Sequence, residues 1–202
     1  MGPMPFERET EHLRLRRPVA EDLPGFVALH TDPRTYEHAP ASMPTQAQCR
    51  ERLASYCLDW EEFGFGYLAV EELATGRLVG WGGVRLTAAP RTLNLYYRLA
   101  HDALGHGYGG ELARAIVDSV REELPDHTVR ASVKRHNRAS MATAVRAGLV
   151  EVGEERHPED GPGDPPSVVL ELRPVDARGQ SPDGSALPPQ TTTHTRSPSA
   201  GT

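Results

Sequence analysis

The stretch LGHGYGGE at 104–111 decides how this chain is read. It places Gly105, Gly107, Gly109 and Gly110 within eight residues. A strand-like apolar run, TLNLYYRLA at 92–100, leads into it, and a helix-like run, ELARAIVDSVREEL at 111–124, leads out. Strand, glycine loop and helix together make an anion site. Glycine permits sharp turns and lets an oxygen come close to backbone N–H groups. The first N–H groups of the helix lack internal partners and carry positive partial charge. The expectation is a phosphate-bearing cofactor held by the backbone of Gly105 to Gly110, with His106 and Tyr108 beside it.

Working outward, HLRLRRP at 12–18 alternates like an edge strand that ends at Pro18, and EDLPGFVALHTD at 21–32 reads as a helix, irregular at Pro24. Thr45 and Gln48 form a capping-box pair that opens a long amphipathic helix, which Gly64 ends. GYLAVEE at 66–72 and RLVGWGGVRL at 77–86 read as a hairpin turning at Thr75–Gly76, and 92–100 adds a third strand. Beyond the glycine helix come a strand at 128–134, a helix capped by Asn137 and stopped at Gly148, and strands at 149–156 and 167–173. A meander leading into a strand–helix–strand crossover implies an α+β fold with one mixed sheet.

The chain has 202 residues and a net charge of −6. That size suits one domain, and the charge argues against a nucleic-acid binder driven by bulk charge. No run is long and apolar enough to span a membrane, and the N-terminus has no apolar signal core, so a cytoplasmic location is expected. Cys49 and Cys57 sit in one helix roughly 12 Å apart, too far to bridge, and neither has metal-ligand spacing to Cys or His. No metal site is expected. Residues 1–10 are expected to be a flexible arm and 11–174 one domain. The Pro/Ser/Thr-rich 175–202 is expected to be disordered.

Two motifs in this order resemble the GNAT superfamily of acyl-CoA-dependent N-acyltransferases. GHGYGGE at 105–111 is similar to the family's G-x-G-Y-x-x-E segment. NRASMATAVRAGL at 137–149 is similar to its N-x-x-S…G-F segment, with Leu149 in place of the aromatic. One helix and one strand separate them, as in the family. The resemblance covers roughly 11–174 and looks most like the branch that acetylates ribosomal-protein N-termini, which also holds enzymes acting on small amines. It implies an αβα-layered, mostly antiparallel sheet of about seven strands with four helices. It implies acetyl-CoA as cosubstrate and, as acceptor, a protein N-terminus or a small amine. The protein would be a monomer or homodimer.

The resemblance also implies site residues. The strand edge around Tyr97 to Ala100 would pair with pantetheine as an added strand does, with Leu99 and Ala100 as its cofactor contacts. The Gly105–Gly110 backbone and Asn137 would hold the cofactor, as would Ser140, which is also the candidate proton donor to the leaving thiolate. The family's tyrosine for that step falls at Ala144. The family's glutamate base falls at Asn94, which cannot titrate and is left to position water or the amine. Glu71, Glu72, His101 and His136 are open alternatives as base, as is water, because an alkyl ammonium near pKa ~10 must lose a proton. Asp102 stands where the family carries Gln or Arg, an anion beside an anion site. EHAPASMPT at 37–45 and HPEDGPGDPPS at 157–167 would rim the acceptor pocket, with Glu159, Asp160 and Asp164 drawing a cationic amine.

Direct attack without a covalent enzyme intermediate is expected, since no cysteine or serine sits in a nucleophile-elbow motif. The alternative reading is a non-catalytic acyl-CoA-binding module, which would explain Asn94 and Ala144. A different nucleotide-binding class fits poorly. The loop lacks the P-loop Gly-Lys-Ser/Thr ending, and a meander is the wrong lead-in for a dinucleotide βαβ unit.

Overall fold

A computed structural model describes residues 6–157, 160–161 and 163–174. The segment 175–202, expected to be a disordered tail, lies outside the described residues, as do residues 1–5 and Glu159. The strands are β1 (Arg8–Glu9), β2 (Leu13–Arg16), β3 (Tyr67–Glu72), β4 (Leu78–Leu86), β5 (Thr92–Leu99), β6 (Thr128–Lys134), β7 (Val150–Glu155) and β8 (Ser167–Leu172). The helices are α1 (Leu23–His30), α2 (Gln46–Phe63), α3 (Tyr108–Glu123) and α4 (Arg138–Arg146). One sheet holds the eight strands in the order β1-β2-β3-β4-β5-β6-β8-β7. Every neighbouring pair is antiparallel except β5–β6.

Two expectations need correction. The arm expected over 1–10 becomes sheet from Arg8, because Phe6 is buried against Phe65 and fixes the chain there. This supplies the eighth strand. Pro24 does not disturb the second segment: it sits in the first turn of α1, where its missing N–H has no intrahelical role. The Thr45–Gln48 capping box forms reciprocally, and Gly64 closes α2 at φ 74°.

Strand alternation divides the core between two faces. Leu93, Leu95, Val129 and Ala131 pack with the apolar stripe of α3 and with α4. Tyr67, Ala69 and Trp81 pack with α1 and α2 on the other face. Gly82 lets α3 close on the sheet, since a Cβ there would stand 3.0 Å from Leu112.

The α1 face contains His30, 1% exposed and stacked 3.9 Å from Phe26. Its Nδ1 lies 3.0 Å from the Phe26 carbonyl and its Nε2 lies 3.2 Å from the Tyr96 hydroxyl. The network assigns Nδ1–H as donor to the carbonyl and Nε2 as acceptor from Tyr96. Burial pushes the imidazole down to about 3. The folded state therefore refuses a proton that the unfolded chain accepts below about 6.5. His30 thus stabilises fully above that pH, and its contribution falls as pH drops toward 3, by up to about 1.4 kcal/mol per pH unit. Unfolding free energy measured from pH 7 to 4 should show this slope, and His30→Gln should flatten it.

Candidate active site

The site begins where two strands part. β5 stays paired to β4 as far as Leu99 opposite Gly80. Its parallel pairing with β6 covers only Thr92–Asn94 opposite Thr128–Arg130. β6 instead follows β8 through Lys134. From Leu95 onward β5 and β6 diverge around a cavity of about 180 Å³, lined by Tyr96, Tyr97 and Arg98 on one side and Ser132, Lys134, Asn137 and Ser140 on the other. The segment Thr35–Ala39 reaches the same cavity.

Antiparallel pairing alternates, so it determines which β5 groups are free. Ala100 N–H donates to the Val79 carbonyl, which makes that pair a hydrogen-bonded one. Gly80–Leu99 and Gly82–Tyr97 are then the non-bonded pairs, and Leu99 and Tyr97 turn their backbone groups away from β4 toward the open edge. Ala100, expected to share that edge, does not. Its N–H goes to Val79 and its carbonyl accepts from Ala103.

The glycine loop lies just beyond. Gly105 and Gly107 take φ of 84° and 82°, a region that glycine enters without a Cβ penalty. Gly107 caps α3, and its carbonyl accepts from the N–H groups of Gly110 and Glu111. Among the described residues nothing accepts from the N–H groups of residues 105–109. They form a row of bare donors at the positive end of a 16-residue helix. A Cβ at Gly110 would meet nothing within 4 Å, so the space over the row is open.

The side chains around the loop are engaged elsewhere. Tyr108 is buried and donates 2.7 Å to Glu72, while His106 stacks on its ring, 5.4 Å away. Their contribution to the loop is backbone. Glu111 accepts from Thr10 and from the His12 backbone, which ties α3 to the β1–β2 turn. Asp102 resolves the charge conflict by pairing with Arg77 at 2.6 Å.

At the far end of the cavity the Asn137 side-chain oxygen, Oδ1, accepts 3.0 Å from Ser140 N–H, capping α4. The Tyr97 hydroxyl lies 2.9 Å from both the Ser140 carbonyl and Oγ. Burial pushes the Tyr97 phenol up to about 12, outweighing the lowering by Ser140. It therefore keeps its proton at neutral pH. Tyr97 entered the sequence reading only as part of a strand edge. Alternation along β5 would have placed it with Leu95 and Leu99 on the α4 side. Ala144, where the family's tyrosine falls, is fully buried on α4.

A second cavity of about 420 Å³ shares His38, Ala39, Ser132 and Lys134 with the first and is bounded by Glu37–Ser42 and by residues of the 157–167 loop. The two rim segments expected from the sequence do meet. Asp160 is not free to draw a cation: Lys134 binds it at 2.6 Å and holds its carboxyl below the usual range. Asp164 accepts from Gly161 N–H within its own turn. Of the four candidate bases, His136 alone lines one of these two cavities. Glu71 pairs with Arg16 at 2.8 Å, Glu72 accepts from Tyr108, and His101 lines neither cavity. Asn94 also lines neither cavity, and its amide donates 2.7 Å to the Tyr67 hydroxyl.

Ser132, absent from the sequence reading, lines both cavities, and its Oγ lies 2.7 Å from His157 Nε2. Burial works to raise the nearby Glu155 carboxyl, but hydrogen bonds from Ser132 and Arg130 outweigh it and keep it ionised. Nothing in the sequence separates Ser132 from the other small residues of a strand; only the approach of the 157–167 loop does.

Among the described residues there is no group of three or more His, Cys, Asp or Glu placed to hold a metal, and no helix is long and apolar enough to cross a membrane.

Comparison with known proteins agrees with this architecture. An acetyltransferase from Agrobacterium tumefaciens is 26% identical, with a TM-score of 0.67 over 83% of this chain and 94% of that one. The ribosomal-protein-S5-alanine acetyltransferase of Vibrio fischeri is 17% identical, with a TM-score of 0.67 over 84% and 97%. The yncA protein of Salmonella typhimurium, solved with its cofactor acetyl-CoA, is 18% identical, with a TM-score of 0.63 over 81% and 95%. The latter two likenesses concern the fold alone. The family described as "Acetyltransferase (GNAT) domain" matches residues 12–150. With the split sheet, the bare N–H row and the Asn137–Ser140 cap in one chain, that match makes this protein a member of the GNAT acetyltransferase family.

Proposed function

We propose that the protein moves an acetyl group from acetyl-CoA to a primary amine by direct attack. The observation that carries this reading is the release of β5 from β6 after Asn94, which opens a strand edge straight onto the unpartnered N–H groups of residues 105–109. An amide-containing arm fits the edge at Tyr97 and Leu99, and a pyrophosphate fits the N–H row. Asn137 and Ser140 stand at the end of the same cavity. Bound there, acetyl-CoA supplies an activated acyl thioester.

The chain's own residues supply proton traffic and placement. Tyr97 Oη holds a proton that it can deliver, directly or through Ser140 Oγ, to a departing sulfur. On the other wall, Ser132 Oγ can take a proton from an incoming ammonium while handing its own to the Glu155 carboxylate that it donates to, with His157 Nε2 2.7 Å away. Asn94, tied to Tyr67, orders the sheet beneath the cavity and acts on the amine at most indirectly. Cys49 and Cys57 line neither cavity, consistent with a reaction that has no enzyme-bound acyl group.

Initial rates with both substrates varied test the direct-attack reading. Intersecting double-reciprocal lines are expected, because both substrates must be present together. Parallel lines would mean that an acyl-enzyme forms first, and would overturn it.

A further inference from the structure

Among the described residues, the cavity lining contains one cation without a counter-ion. Six lysine or arginine side chains among the described residues are half-buried: Arg8, Arg16, Arg85, Arg98, Arg130 and Lys134. Five of them meet a carboxylate at 2.5–2.7 Å. Arg98 meets none. Partial burial of a charge is costly unless a partner offsets it, so the exception calls for a partner that the chain does not supply.

The geometry of Arg98 is fixed in advance of any ligand. Its guanidinium lies over the Tyr36 ring, 3.7 Å from the centroid. Its Nε donates 2.9 Å to Tyr96 Oη, and one terminal nitrogen donates to the Thr35 carbonyl. Tyr96 in turn donates to the buried, neutral His30. The chain Arg98→Tyr96→His30→Phe26 carbonyl thus anchors the guanidinium to the core of the α1 face. Two of its five N–H donors are used, which leaves three for a planar acceptor. Lys134, the other cation lining this cavity, is already neutralised by Asp160, so the net charge that an entering molecule meets here is that of Arg98.

We infer that the acceptor is a primary amine carrying a carboxylate close to it, and that Arg98 binds this carboxylate as a two-pronged anchor. This rests on the acetyl-transfer reading and narrows its substrate class. A plain alkylammonium would be repelled by Arg98. An amine with a carboxylate a few bonds away is attracted and oriented, with its nitrogen left free to face Ser132 across the cavity. Two sources share this chemistry: a free amino acid, and a peptide whose first residues are acidic.

Matched pairs test it. Free L-amino acids are compared with their methyl esters, and dipeptides beginning with Asp or Glu with their Asn or Gln counterparts. For each pair kcat/KM is measured with acetyl-CoA, and Kd is measured by calorimetry on protein with and without CoA. At least one acid series is expected to exceed its neutral partners by roughly 10- to 100-fold, the range of a charge-assisted pair. The series that does so identifies the source. Arg98→Met should bring the ratio near one at unchanged CoA affinity, and Arg98→Lys should keep part of it. A wild-type ratio near one in both series, or a preference that survives in Arg98→Met, overturns the inference. Acid-selective binding that depends on Arg98, without acetylated product, would sink the acetyl-transfer reading while supporting Arg98 as a carboxylate anchor.

Discussion

Gly110→Asp is expected to leave the fold intact and to weaken acetyl-CoA binding by about 100-fold or more. Position 110 lies in the first turn of α3, at ordinary helical φ, and a Cβ there meets nothing. A carboxylate in that turn favours the helix by about 0.3–1 kcal/mol, so thermal stability should hold or rise. The same charge faces the N–H row proposed to grip a pyrophosphate. Two like charges about 5 Å apart at an effective dielectric of ~20 repel by about 3 kcal/mol, which corresponds to on the order of 100-fold in affinity. Gly110→Asn, similar in shape without the charge, should bind far better than the aspartate variant. Calorimetric titration of both variants decides the matter. Equal affinities would mean that the N–H row is not the anion site.

Tyr97→Phe is expected to lower kcat by roughly 10²-fold while acetyl-CoA affinity changes only a few-fold. General acid catalysis contributes ~10²–10⁴-fold. The low end applies because an alkyl thiol has a pKa near ~8.5 and its thiolate leaves tolerably unaided. Ser140→Ala should likewise lose rate more than cofactor affinity. Since the two hydroxyls lie 2.9 Å apart and are proposed to act in series, the double variant should be little worse than the poorer single one. The lost hydrogen bond costs about 1 kcal/mol of stability, too little to unfold the protein. Wild-type kcat in Tyr97→Phe would remove the phenol from the mechanism.

The features that local chemistry dictates were legible in the sequence. Thr45 with Gln48, Gly64, Asn137 and Gly148 each mark a helix end through their own side-chain or backbone requirements, and each lies where its residue type predicts. The conformation of the glycine loop belongs with these, since Gly105 and Gly107 take the positive φ that their residue type permits, and the role proposed for the loop rests on backbone N–H groups. The illegible parts depend on contacts between distant segments. The strand at Arg8–Glu9 was missed because Phe6, which fixes it, finds its partner at Phe65. Ala100 looked like a free edge until the β4–β5 register committed its N–H to Val79. Asp102 looked misplaced because Arg77 lies across a hairpin. The wall residues Tyr97, Ser132 and Arg98 became visible only when the divergence of β5 and β6 turned ordinary strand positions into a lining.

The central claim is that this cleft transfers an acetyl group rather than merely holding the cofactor. Mass spectrometry of amine libraries incubated with acetyl-CoA and the protein tests it most directly, with acetylated amine and released CoA counted in the same reaction. The account predicts acetylated product in equal amounts with free CoA, and roughly 10²-fold slower appearance of both in Tyr97→Phe. Tight acetyl-CoA binding with no acetylated product across the library would contradict it and identify a binding module.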